Sequence, residues 1–186
     1  MPEEQHLLDE PLIGALNVAL AKARCVPALV EDELTLAADT LVVSPDGRIL
    51  GKPASGDEAR TMLRVLHGRP HTVITGVVLR ASNGREWAAA VSTQVHMRAY
   101  AETEIERYVE RGEPYDKAGG YAIQDAEFAP VERLEGCYLN VVGLPLCAAA
   151  RGLETLGVRV GGVDAWTPPC GYCQAGAPLV ALGLPG

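Results

Sequence analysis

The sequence predicts an α/β fold, a curved mixed β-sheet with helices around it, and three observations carry that expectation. Residues 36–43 are apolar and β-branched, turn at Asp46-Gly47 and continue as a short run ending at Gly51-Lys52-Pro53, which reads as a buried strand, a tight hairpin and a second strand. Residues 71–80 and 85–99, rich in Val, Ile and Thr, flank Asn83-Gly84 as a second antiparallel hairpin. Segments with apolar residues at helical spacing lie around these strands without strict strand–helix alternation, which disfavours a doubly wound sheet.

Residues 11–26 read as the first helix. Pro11 suits its first turn, Leu12, Ile13, Leu16, Ala19, Leu20 and Ala23 form one stripe with Lys22 beside it, and Pro27 ends it. Ser55 with Glu58 makes a capping box for a second helix carrying Met62, Leu63, Val65 and Leu66 and stopping at Gly68. Thr103 with Glu106 is expected to cap a third, ending at Gly112. Residues 131–142 read as a strand region broken at Glu135-Gly136, and Pro145 falls in the first turn of a last helix running to about 156. Residues 1–157 then form one domain, with 158–186 a Gly- and Pro-rich C-terminal tail.

A chain of 186 residues is long enough to bury a sizeable core, and with one Phe and two Trp that core is expected to be packed by Val, Leu and Ala. The formal net charge of −8 argues against a nucleic-acid surface, which needs clustered Lys and Arg. It leaves room for a phosphorylated small molecule whose charge a bound cation neutralises. No run of about 18 apolar residues exists, so no membrane span is expected. The acidic start lacks the apolar region of a signal peptide, and a cytoplasmic location follows as the expectation. The odd number of cysteines suits reduced thiols; Cys25, Cys137 and Cys147 read as small core residues. Cys170-Gly-Tyr-Cys173 has ligand or redox spacing but no second pair follows to complete a zinc site.

Two polar clusters interrupt the apolar pattern. Asp39-Thr40 sits inside the first strand, where a carboxylate loses hydration and needs a metal or donors to stay ionised, and Lys52 is the nearest cation along the hairpin. An acid and a lysine so placed suit a phosphate ester with a divalent ion, or else a polar strand end paired with a surface lysine. The second cluster, Glu113-Pro114-Tyr115-Asp116-Lys117-Ala118-Gly119-Gly120 with Ile123-Gln124 beyond it, lies between a helix end and an expected strand. It reads as a loop-borne site or a solvated charged turn.

Ala38-Asp39-Thr40, Gly51-Lys52-Pro53, Arg69-Pro70-His71-Thr72-Val73-Ile74-Thr75-Gly76, the cluster from Glu113 to Gln124, and Val141-Val142-Gly143-Leu144-Pro145 together resemble the Maf family of nucleoside triphosphate pyrophosphatases, over roughly residues 3 to 156. The resemblance implies a two-lobed α/β fold around a cleft, like that of inosine triphosphate pyrophosphatases, and a possible homodimer. It implies hydrolysis of a nucleoside triphosphate to the monophosphate and pyrophosphate with a divalent metal, Mg2+ or Mn2+. Asp39 matches the family's proton acceptor, and Lys52, Lys22, Glu113 and Lys117 match positions at the phosphate and metal end. Glu4 matches the N-terminal glutamate, so the implied metal set is Asp39, Glu113 and Glu4. Thr40 and Gln124 match the subfamily resembling dTTP and UTP pyrophosphatases, which implies pyrimidine substrates.

Family members usually begin with a strand and a Ser- and Arg-rich phosphate-gripping turn, and this sequence has no such segment. Intact downstream motifs favour a misplaced start over a shortened protein. The usual glycine-rich turn after Ile-Gln is here Asp125-Ala126-Glu127. The alternative to an enzyme is a catalytically weak or inactive nucleotide-binding regulator of cell division or septation.

Overall fold

The computed structural model describes residues 2–27, 30–31, 33–160 and 180–181, of which 2–9 and 180–181 are described by backbone alone. Cys170, Cys173 and nearly all of the tail lie outside the described residues. The strands are β1 (Leu34–Val43), β2 (Ile49–Leu50), β3 (Pro70–Ala81), β4 (Glu86–Met97), β5 (Val131–Glu135) and β6 (Val180–Ala181). They join one sheet in the order β2-β1-β3-β4-β5, with β6 also pairing β4. The helices are α1 (Pro2–Cys25), α2 (Gly56–Leu66), α3 (Glu102–Glu110), α4 (Tyr138–Val142) and α5 (Leu146–Thr155). No helix among the described residues is long and apolar enough to cross a membrane.

The expected hairpins form. β1 and β2 pair antiparallel with Val42 opposite Leu50 and Val43 opposite Ile49. Gly47 takes φ 83° in the turn, which a Cβ would resist. Arg48 and then Ser44 hold the Asp46 carboxyl down at about 2, so the turn carries its own charge clamp. Gly84, also at φ 83°, closes the β3–β4 hairpin, where Ala81 N–H donates to Arg85 O at 2.8 Å. β5 pairs antiparallel with β4, with a bulge between His96 and Met97.

By its contacts the chain divides into two compact units, Met1–Thr40 with Ile74–Ser92 and Gly136–Gly186, and Leu41–Val73 with Thr93–Glu135. In the first, Leu16, Ala19 and Ala23 of α1 bury themselves against Val78, Ala88 and Ala90. Gly76 of β3 allows this approach: a Cβ there would lie 2.6 Å from the backbone carbon of Ala15. The helix starts nine residues earlier than Pro11 suggested, at Pro2, and Pro11 lies inside it. A proline inside a helix removes one main-chain hydrogen bond. Here buried Ala15, Leu16 and Ala19 hold the following turns to the sheet, so the helix continues through it.

The second unit departs from the aliphatic core that composition suggested. Tyr100, Tyr108, Tyr121 and Phe128 are all buried, with Tyr108 stacked on Phe128 at 4.5 Å between ring centroids. Four rings drawn from a small aromatic complement are buried in this unit, and so are Leu63, Leu66, Met97 and Ile105.

One local expectation holds and two change. Ser55 does cap α2, its Oγ accepting from Glu58 N–H at 3.2 Å. In α3, however, the Glu104 carboxylate accepts from Ala101 N–H at 2.7 Å, two residues before the Thr103–Glu106 pair. Ala101 has no side-chain acceptor, so only half of the box exists to be seen. Residues 138–142 are helical rather than extended: Gly143, at φ 119°, closes the turn by donating to Leu139 O and Asn140 O. That left-handed cap outweighs the β preference of Val141 and Val142.

Candidate functional site

In the first unit the strand-borne acid finds its partner on α1. Lys22, in the last turn of that helix, donates from Nζ to Asp39 Oδ1 at 2.6 Å and to Ala38 O at 3.4 Å. The sequence pointed along the hairpin to Lys52 as the nearest cation; the cation that pairs with Asp39 lies on α1, which sequence distance concealed. The Asp39 side chain is 18% exposed, so it is sheltered but open on one side. Among the described residues no donor meets Oδ2, leaving that oxygen able to accept. Next along β1, Thr40 Oγ1 lies 2.9 Å from Thr75 Oγ1 of β3, and Thr75 donates to the Asn140 carbonyl at 3.0 Å.

In the second unit the loop after α3 folds around Lys117. Its Nζ donates to Glu113 O at 2.7 Å and to Asp116 Oδ1 at 2.6 Å, with Glu113 Oε2 at 3.6 Å. The hydrogen bond and charge of Lys117 hold the Asp116 carboxyl below its ordinary range, and Lys52 adds a smaller pull in the same direction. The loop is tied to the Lys52 segment by Gly119 N–H donating to Gly51 O at 3.0 Å. Gly119 is required there twice over: φ is 72°, and a Cβ would stand 3.0 Å from Val42 Cγ1. Gly119 sits within a single 3-10 turn, Ala118–Gly120, and beyond it Ile123-Gln124 lies in turns rather than in the expected strand.

Gln124 is exposed, and the segment carrying it is anchored on both sides. Tyr108 Oη accepts from Ala122 N–H at 3.1 Å, while Asp125 Oδ1 accepts from Phe128 N–H at 2.7 Å and Glu127 N–H at 3.1 Å. Arg111 grips the same Asp125 carboxylate with both oxygens within 2.9 Å. An aspartate turn therefore does the work expected of the glycine-rich one.

The sequence profile described as Maf-like protein matches residues 2–156. The chain belongs to the Maf family. It is 46% identical over 159 residues to a protein of Dehalococcoides mccartyi named dTTP/UTP pyrophosphatase, covering 84% of this chain and 70% of that one. A protein of the same name from Thermomicrobium roseum is 47% identical over 172 residues, covering 91% and 77%. Another from Pelotomaculum thermopropionicum is 49% identical over 140 residues, covering 75% and 73%.

Maf-family pyrophosphatases generally depend on a metal ion. A small hard cation bound with a phosphorylated substrate takes one or two protein carboxylates and fills its remaining positions with phosphate oxygens and water. Taken singly, Asp39 in the first unit and Glu113 in the second are carboxylates of that kind, 18% and 44% exposed. Glu4 belongs to α1 by its backbone, and its side chain is outside what is described. Sequence reasoning gave no role to Thr75, Arg111 or Asp125. The pairing of Thr75 with Thr40 across two strands has no local signal, whereas Asp125 carried one that went unused, a short carboxylate able to accept from N–H groups two and three residues on.

Proposed function

We propose that this Maf-family chain hydrolyses dTTP, UTP and related pyrimidine nucleoside triphosphates to the monophosphate and pyrophosphate. The observation that carries the reading is Asp39, strand-borne, partly sheltered and fixed through one oxygen by Lys22 at 2.6 Å. A carboxylate immobilised in this way keeps its second oxygen oriented toward a water instead of rotating among hydration partners. The relatives named dTTP/UTP pyrophosphatase support the choice of substrate class.

In the proposed reaction, water oxygen bonds to the α-phosphorus as the bond to the α–β bridging oxygen breaks, and its electron pair leaves with pyrophosphate. Asp39 Oδ2 takes the proton from water. Lys52 and Lys117 meet phosphate oxygens and offset the charge that repels an incoming nucleophile. Lys22 holds Asp39 in position. Thr40 and Gln124 contact the base. Asp39 and Glu113, with Glu4, would hold a divalent cation, magnesium or manganese, which when bound supplies charge neutralisation to the triphosphate. A homodimer belongs to the same reading, and sedimentation equilibrium tests it.

Hydrolysis of UTP in oxygen-18 water is the test. The reading expects label in the uridine monophosphate and unlabelled pyrophosphate. Label in pyrophosphate, or release of orthophosphate as the first product, would contradict attack at the α-phosphorus.

A further inference from the structure

The hydroxyl pair on β1 and β3 has a direction that its surroundings fix. A backbone carbonyl only accepts, so Thr75 must give its single proton to Asn140 O, 3.0 Å away. Thr75 and Asn140 are both fully buried, which leaves no bulk water to take over that bond. With its proton committed, Thr75 Oγ1 can meet Thr40 Oγ1 at 2.9 Å only as an acceptor, so Thr40 donates. Thr40 is partly exposed, and its proton is now spent. What it offers outward is a lone pair. Gly143 lies beside it, where a Cβ would stand 3.5 Å from Thr40 Oγ1, in ordinary van der Waals contact.

We infer that Thr75 is a positioning residue for base selection: by donating to the Asn140 carbonyl and accepting from Thr40, it leaves Thr40 Oγ1 an obligate acceptor, matched to the N3–H of a uracil or thymine imide and mismatched to the bare N3 lone pair of cytosine. This rests on the pyrimidine reading above. An isolated threonine would not discriminate, because its hydroxyl rotates to donate or accept as the ligand requires. The buried relay removes that freedom. Facing two lone pairs toward each other leaves both unpaired in a desolvated place, and sites built around one hydrogen-bond polarity reject the opposite one strongly.

The experiment measures dissociation constants of the α,β-methylene analogues of UTP and CTP, which report binding whether or not turnover occurs. Wild type, Thr75→Val and Thr75→Ser are compared, with thermal melting as the check on folding. The wild type should bind the uracil analogue at least about tenfold more tightly than the cytosine analogue. Thr75→Val, similar in shape but unable to accept, frees the Thr40 proton and should bring that ratio down about tenfold, toward equality. Thr75→Ser keeps the relay and should restore the ratio. A purely structural role would weaken both analogues alike and leave the ratio unchanged, which overturns the inference. Equal binding of the two analogues by wild type overturns it without any variant, so an unfolded Thr75→Val does not rescue it. Selective binding of the analogues by a protein that does not hydrolyse UTP itself would refute the pyrophosphatase reading and leave the inference standing, and failure to bind either analogue refutes both.

Discussion

The first unit brings backbones together through small residues, whereas the second surrounds buried polar tips with aromatic rings. Gly76 against Ala15, and Ala19 and Ala23 against Ala88 and Ala90, let α1 lie close on the sheet, which is what allows Lys22 in its last turn to reach Asp39. Around Tyr121 the logic differs. Its hydroxyl pairs with His71 Nε2 at 2.7 Å, Tyr100 donates to Leu63 O at 2.5 Å, and Tyr108 supports Ala122. Burial pushes all three tyrosine hydroxyls well above their ordinary range. One polar cluster is thus positioned by steric closeness and the other by a hydrogen-bonded aromatic scaffold. The first should be sensitive to added volume and the second to protonation.

The largest expected effect is on the close approach. Gly76→Ala places a methyl 2.6 Å from backbone, where no side-chain rotation relieves it. It should cost about 3 kcal/mol in urea denaturation, with loss of the Lys22–Asp39 geometry. A cost under about 0.5 kcal/mol, the scale of an ordinary surface change, would show that the first unit is not packed to its limit.

Acid should pick out the second unit. Burial, and then the charge of nearby His96, lower His71 to about 4 from an ordinary value of 6.5. The unfolded chain therefore binds this proton more readily. Stability is fully present above about pH 6.5 and is lost as pH falls toward 4, by about 3 kcal/mol from this group. Hydrogen exchange followed from pH 7 to pH 4 should show amides around His71 and Tyr121 losing protection before those of α1. Simultaneous loss throughout the chain would remove the distinction.

A smaller effect is expected from Tyr100→Phe, which leaves the ring packing but removes one of the two donors to the Leu63 carbonyl, the other being His67 N–H at 2.9 Å. About 1 kcal/mol should be lost in urea melts, with little change in the slope. Smallest of all, Arg64→Ala on α2 removes an ion pair to Glu102 whose partners are 49% and 54% exposed. Its effect should stay within about 0.5 kcal/mol, and a larger one would mean that surface charge contributes more to the second unit than the aromatic account allows.

Strands β1 to β5, both hairpins and four of the five helices among the described residues were legible because each leaves a local mark: alternation, an Asp-Gly or Asn-Gly turn, or a stripe at helical spacing; β6, in the stretch read as a tail, and the turns at Ile123-Gln124, read as a strand, were not. α4 was not, since Val141 and Val142 pointed to a strand and only the left-handed Gly143 decided otherwise. Of the polar residues, Asp39, Thr40, Lys52, Glu113 and Lys117 stood out as charge or hydroxyl in apolar or loop context. Lys22 was visible as a lysine beside an apolar stripe, but its partner 17 residues away was not. Thr75 was hidden most completely, looking like any β-branched strand residue until the register of β1 and β3 set its hydroxyl against that of Thr40.

The most direct measurement is pyrophosphate release from dTTP and UTP with magnesium by the wild type and by Asp39→Asn, each with a melting curve taken on the same sample. The proposed role of Asp39 predicts turnover by the wild type and a loss of at least about a hundredfold in Asp39→Asn at an unchanged fold. Wild-type rates from a correctly folded Asp39→Asn would contradict it.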